Sequence, residues 1–421
     1  MSETSTVKFP DQLDGLVTVV NLVRLGSART RTELAQASGL GRNIIADRVE
    51  RLLDSGLLAE GAPGASTGGR AARRLSFGAD AGRILVAVLG ATTIRVALAD
   101  LLGNILDQSL VFAEVTDGPE PILAQIDLLF DELLTGNTTE LWGIGIGLPG
   151  PVEFATGRPV APPIMPGWGG YDIRRHFAVS RQVPVWVDND VNVMVLGELR
   201  KGRAVGKQDV VFVKVGSGIG AGLISRGLLH RGAQGCAGDI GHITALTDST
   251  VVCRCGNLGC LEALVGGIAI TRDATSAAQE GRSDRLHAML ANQGKLRPAD
   301  VIQAARHGDQ VSIGLLSHSA DLVGESVARI INFFNPALVL IGGQVTANND
   351  LYLANIRRTV LGRSLPLATR SLEITTSALG EMAGVTGAAY MVVDELLSRS
   401  VLARWIDTHP RDLVRDQLRP A

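Results

Sequence analysis

Three of the chain's four cysteines fall within eight positions of one glycine-rich stretch, "CRCGNLGCLE" at 253–262. A thioredoxin-like redox pair needs C-x-x-C, and the spacing here is C-x-C-x4-C. A disulfide between Cys253 and Cys255 would be badly strained, because the bridge demands a particular Cβ geometry. Thiolates crowded onto a tight turn suit a tetrahedral metal, and zinc takes such sets with a histidine as fourth ligand. His242, just upstream in "GDIGHI", is the candidate. Cys253, Cys255, Cys260 and His242 are therefore expected to hold one Zn2+. The competing reading is three small buried side chains on a loop. Cys236 lies outside the spacing and reads as a plain buried thiol.

A second cluster, Asp188, Asn189, Asp190 and Asn192, follows the apolar run "VPVWV". Strand ends that face a cleft are where α/β proteins place ligand groups. An Asp beside an Asn can accept from one hydroxyl while the amide fixes a neighbour, which suits a polyol. An ordinary polar turn with capping carboxylates would look the same. Asp239, His242 and Glu262 could converge on this point. A metal shared by His242 and the cysteine turn would then pin Glu262 against the strand-end loop and give the pocket a rigid wall. "GSGIGAG" at 216–222 could cradle phosphate with backbone N–H groups, although tight strand turns need glycine anyway.

The elements that must position these residues repeat. "RILVAVLGATTIRVALADLLGNIL" reads as three strands joined by turns, and "DVVFVKVGSGIGAGLISRGLLHRG" at 209–232 has the same plan. Each copy precedes helices, which predicts two similar α/β lobes with a cleft between them. "PALVLIGGQVT" reads as a buried strand ending in Gly342-Gly343. "GVTGAAYMVVDELL" reads as a small-residue helix able to pack on the first lobe.

The first 80 residues differ. "LDGLVTVVNLVRLGS" carries Leu16, Val19, Val20 and Val23 at helical spacing. "RTELAQASGL" is a second helix, with Thr32 as cap and Gly39 as stop. "GRNIIADRVERLLDSGLL" is a third, with Ile45, Val49, Leu52 and Leu53 on one face and Asn43, Asp47 and Arg51 on the other. Two helices joined by a glycine turn form a helix-turn-helix, and "LLAE" with "RRLSF" forms a wing around the tip "GAPGASTGGRAA". Arg29, Arg31, Arg42, Arg48, Arg51, Arg70, Arg73 and Arg74 all lie in this segment. Arginine at a glycine-rich tip can enter the DNA minor groove. Arg42, Asn43 and Asp47 would meet base edges, and Arg70, Arg73 and Arg74 the backbone or minor groove. A helical bundle with solvated arginines, or a partner-docking module, is the alternative.

Composition limits the remaining possibilities. The net charge of −2 provides no global basic field, so nucleic-acid binding must come from a local patch. Few cysteines, mostly in one cluster, point to a reducing compartment. The polar start "MSETSTVKFPDQLDG" lacks a signal-peptide core, and no apolar run is long enough for a membrane span. A cytoplasmic protein is expected.

With "GLPGPV", "PGW", "DNDVN", "GSGIGAG", "GCAGDIGH", "CRCGNLGCLE" and "NPALVLIGG", the chain resembles the ROK family (repressors, open reading frames and kinases) over nearly its whole length. The resemblance implies an α/β fold: an N-terminal winged helix-turn-helix at 1–80, then a two-lobed actin-like (ribonuclease H-like) domain at 81–400. Lobe 1 would span about 81–190 plus a C-terminal helix and lobe 2 about 191–380, with 401–421 a tail. It implies that Asp190 stands where the kinases keep the base for a sugar hydroxyl. Asn189, Asp239, His242 and Glu262 would bind sugar, and His242, Cys253, Cys255 and Cys260 would hold zinc.

Departures from the kinase pattern separate the branches. Kinases carry D-x-G-x-T in the first hairpin, whose Asp serves Mg–ATP; here "VLGAT" at 88–92 puts Val88 there. Valine cannot hold hydrated magnesium, which phosphoryl transfer depends on. Asp239 replaces a usual Glu, and Ile164 stands where an Asn often precedes "PGW". The expected function is a DNA-binding regulator, a repressor, acting as a homodimer or homotetramer on a palindromic operator. Its effector would be a sugar or sugar derivative, and its kinase activity would be lost. The alternatives are an active ATP-dependent sugar kinase with an appended DNA-binding domain, and a ligand-free dimerising scaffold.

Overall fold

The computed structural model describes residues 12–63, 73–347 and 349–418. Helices α1 (Gln12–Arg24), α2 (Arg31–Ser38) and α3 (Arg42–Asp54) bury Leu16, Val20, Leu34, Ile45, Val49 and Leu52. An antiparallel ribbon, β1 (Leu58–Pro63) and β2 (Arg73–Phe77), completes this unit. Gly39 ends α2 in the left-handed region at φ 70°. Its cap is Thr30 rather than Thr32. The Thr30 side chain accepts from the Glu33 N–H at 3.2 Å, and Thr30-x-x-Glu33 has capping-box spacing.

The first lobe contains β3 (Arg83–Leu89), β4 (Thr93–Asp100), β5 (Ile105–Phe112), α4 (Pro119–Leu134) and β6 (Leu141–Leu148). It continues through the short pair β7 (Val152–Glu153) and β8 (Arg158–Pro159), then α5 (Ile173–Arg181), β9 (Val185–Asn189) and α6 (Asp190–Lys201). The second lobe has β10 (Val210–Val215), β11 (Ile219–Ser225), β12 (Leu228–His230), α7 (Leu261–Val265) and α8 (Gly267–Gln279). After these come α9 (Asp284–Gln293), α10 (Pro298–Arg306), α11 (Gln310–Phe334), β13 (Leu338–Gly342), α12 (Asp350–Arg363), α13 (Pro366–Thr369) and β14 (Glu373–Thr376).

The two sheets share one plan, ordered β5-β4-β3-β6-β9 and β12-β11-β10-β13-β14. In each, a hairpin meander is extended by two parallel strands. Parallel strands must be covered on both faces. Helices α4 and α5 cover the outer face of the first sheet and α8 to α12 that of the second. The inner layer is α6 with α14 (Ala383–Leu396), which returns from the C-terminal part to the first lobe. The two helices meet backbone to backbone. A Cβ on Gly387 would fall 1.6 Å from the Val193 carbonyl oxygen, and one on Gly197 2.2 Å from that of Ala383. Only glycine permits this approach.

The segment from 401, expected as a tail, holds most of α15 (Arg399–Trp405) and all of α16 (Leu413–Gln417). Trp405 is buried, donates to the Leu396 carbonyl at 2.9 Å and packs edge-on against Trp142. Gln417 bonds both backbone groups of Val185, capping the strand at the edge of the first sheet. The N-terminal unit docks on this end of the molecule. Arg24 bonds Asp394 at 2.9 Å and Arg51 grips Asp407 with its nearer oxygen at 2.8 Å. Among the described residues no helix is long and apolar enough to cross a membrane.

Candidate functional site

The short turn Ile240–His242 and the loop 252–260 lie side by side, bridged by Thr244 to Cys260. Gly256 and Gly259 adopt φ 93° and 67°, folding the loop so that its three thiols face inward. The ligand atoms of His242, Cys253, Cys255 and Cys260 lie within 4.8 Å of one another. Cys255 Sγ and Cys260 Sγ are 3.7 Å apart, and Cys253 Sγ is 3.5 Å from His242 Nδ1. Zinc–sulfur bonds of about 2.3 Å in a tetrahedron require sulfurs about 3.8 Å apart, so the set fits a metal ion of that kind. Burial, with hydrogen bonds that the Cys260 thiol donates to Cys255 and Cys253, pushes it up to about 12. A dication at the centre of the set would favour the thiolate forms that serve as its ligands. All four cysteines are free of disulfides.

His242 turns Nδ1 to the thiols, and its Nε2 lies 4.0 Å from Asp239 Oδ1. Burial raises the Asp239 pKa, and the His242 charge partly offsets this. Glu262 lies in the first turn of α7, and its Oε2 accepts from the Ile219 N–H at 2.9 Å. That carboxylate occupies the space beside Gly218, where a Cβ would stand 2.1 Å from it. The hairpin glycine is thus required by the Glu262 contact, without any phosphate. All these groups line one cleft of about 550 Å³ between the lobes.

Asn189 and Asp190 enter that cleft from the start of α6. Asn189 caps the helix, accepting from Val191 N–H at 2.9 Å, while its amide donates to the Gly150 carbonyl at 2.9 Å. Asp188 is 1% exposed and accepts from the Asn189 N–H, the Asn192 amide and Arg231. Arg231 in turn lies 3.7 Å over the Phe154 ring. Asp188 is therefore a fixing group whose hydrogen bonds are made, while Asn189 and Asp190 line the cleft. Asn192 Oδ1 is buried without a partner among the described residues, an acceptor that a bound hydroxyl could fill.

Two cleft groups were not read from the sequence. Lys214, on β10, bonds the Asp190 carboxylate directly. A single lysine in the apolar strand "VVFVKV" was the available signal. Cys236, expected to be a buried thiol, is exposed and lines the cleft. Its loop is held open by Gly235 and Gly238 at φ 94° and 95°, pressed onto the Val152 and Ala221 carbonyls. Val88 lines the other end of the cleft, packed beside Gly384 at the start of α14. Ile164 lines it too.

On the N-terminal unit, Arg42, Asn43 and Asp47 are exposed on α3 and Arg74 on β2. The arginines are less free than their number suggests. Arg48 is buried against Asp47, and Arg51 is taken by Asp407. Arg73 and Arg31 both bond Glu60, and these hydrogen bonds hold its carboxyl below the usual range. Arg70 lies outside the described residues.

The sequence model of the ROK family matches residues 86–395. The chain is 32% identical over 307 residues to a glucokinase of Halalkalibacterium halodurans, covering 72% of this chain and 93% of that one. It is 30% identical over 372 residues to the xylose repressor of Caldicellulosiruptor bescii, covering 88% and 92%. A crystal structure of a ROK family transcriptional regulator, a homologue of the E. coli Mlc protein, superposes with a TM-score of 0.78. That likeness spans 94% of this chain and 98% of the other at 24% identity, and it bears on fold alone.

Proposed function

The chain belongs to the ROK family, and from that premise we propose that it is a DNA-binding transcriptional regulator, a repressor, that senses a sugar and no longer phosphorylates it. The observation that carries the loss of kinase activity is Val88 in the cleft wall. An apolar side chain there gives the phosphates' magnesium no ligand, and phosphoryl transfer rests on that charge neutralisation. The Lys214 ammonium on Asp190 supports the same reading. The carboxylate that would take the hydroxyl proton is engaged in an ion pair. The long match to the xylose repressor necessarily extends into the N-terminal 80 residues, which supports the regulator branch.

In this reading Asn189, Asp190, Asp239, His242 and Glu262 hold the sugar. Zinc on His242, Cys253, Cys255 and Cys260 fixes the His242 ring, so its Nε2 and the neighbouring Glu262 keep their places. Arg42, Asn43 and Asp47 read bases, and Arg70, Arg73 and Arg74 contact the DNA backbone. The protein acts in the cytoplasm as a homodimer or homotetramer on a palindromic operator, since two-fold protein symmetry meets two half-sites.

The glucokinase relative keeps a working sugar kinase as the second reading. ATP turnover against a panel beginning with glucose and xylose tests it. The proposal expects none of physiological use. Phosphorylation at about one per second or faster, within the ordinary enzymatic range, would install the kinase reading instead.

A further inference from the structure

A second cavity, of about 330 Å³, lies where α1 of the N-terminal unit meets both lobes. Arg24 comes from α1, Arg200 from α6, Lys207 from the loop before β10, and Tyr390 from α14. Among the described residues its wall carries these three cations and no carboxylate.

Acids near these cations are already engaged. Asp394 accepts from Arg24 Nη2 at 2.9 Å and from Arg200 Nη2 at 2.6 Å, so two guanidiniums share one carboxylate. Glu373 is 3.7 Å from Lys207. Asp100, on the neighbouring turn, accepts from the Leu102 and Asn104 N–H groups and from the Asn104 amide. Lys201 donates to Asn104 Oδ1 and stands 5.9 Å over the Tyr390 ring. The Arg24 side chain is only 8% exposed. Among the described residues nothing hydrogen-bonds Arg24 Nε or Nη1, or Arg200 Nε. Buried donors left without partners are costly, and a buried and a part-buried guanidinium against one shared carboxylate leave positive charge uncompensated.

We propose that this junction is a binding site for a small phosphate-class anion, held by Arg24, Arg200 and Lys207 and separate from the sugar cleft. Guanidinium forks match the oxygens of such an ion in geometry as well as charge. A ligand here touches the N-terminal unit, α6 and the loop before β10 at once. It therefore favours the docked arrangement of the N-terminal unit over any other.

The test is thermal unfolding and calorimetric titration of the full-length protein with inorganic phosphate and with glucose 6-phosphate. Ionic strength is held constant with chloride, so that generic screening is the same throughout. Wild type should show a saturable rise in melting temperature with one or both anions. Lys207→Gln alters a part-exposed side chain and should fold normally, yet bind at least about tenfold more weakly, as should Arg200→Gln. Lys214→Gln, in the sugar cleft, should bind inorganic phosphate as wild type does. Tighter binding of the ester than of the free ion, or the reverse, identifies which phosphate source the site takes. No saturable binding, or phosphate binding undiminished in both junction variants, overturns the proposal.

Discussion

Lys214 and Asp190 form an ion pair across the cleft, one from the first strand of the second lobe and the other from the first turn of α6. The carboxylate is 5% exposed and the lysine side chain 22%. On the proposed function, a sugar hydroxyl that reaches Asp190 would share it with an ammonium, and the pair spans the cleft between the lobes.

The pair should therefore contribute to stability as a unit. Lys214→Ala leaves a buried carboxylate without its partner and should cost about 2 kcal/mol, less than a fully buried pair because the lysine is partly solvated. Asp190→Asn together with Lys214→Ala should cost less than the sum of the two changes by about 1 kcal/mol. Urea unfolding of the four proteins measures this, and strictly additive losses would mean the contact is not coupled in solution.

One zinc per chain is expected from metal analysis of the purified protein. Cys255→Ser should lower the zinc content, and chelation should loosen the turn and the ligand pocket together, since metal binding and local folding are one equilibrium. Full zinc retention in Cys255→Ser would remove that thiol from the set.

DNA contacts should divide between the third helix and the wing. Arg42→Ala and Asn43→Ala should change which bases are preferred, with Asn43 reading adenine. Arg74→Ala should weaken all sequences alike and reduce the salt dependence by about one phosphate contact. Arg73→Ala should have a smaller effect, because Glu60 already holds that side chain. Competition binding with operator variants checks this, and unaltered base preferences in Arg42→Ala would contradict the assignment of α3.

The duplicated strand plan was legible because each copy repeats apolar strands and glycine turns in order, and the cysteine turn because few chemistries explain that spacing. Pairing over long sequence distances was not. Arg51 reads as a free arginine until the fold brings up Asp407, 356 residues away. Arg31 and Glu60 are 29 apart. Helical periodicity put Ile45 and Val49 inside but could not show that Arg48 lies beneath the same surface. Cys236 was misplaced for a related reason. Its neighbours Gly235 and Gly238 look like a generic turn, and only their packing onto β7 and β11 sets the thiol at the cleft. Lys214 faces Asp190 through strand register, which one sequence does not specify.

On the proposed function, the cleft controls operator binding through sugar held by Asp190. The direct measurement is a titration of sugar against the protein–operator complex, with wild type and Asp190→Ala side by side. A charge-assisted hydrogen bond of about 1.5–3 kcal/mol is removed, so the variant should bind operator normally yet respond at a sugar concentration about one to two orders of magnitude higher. Identical midpoints for the two proteins would contradict the claim and leave the domain as a scaffold.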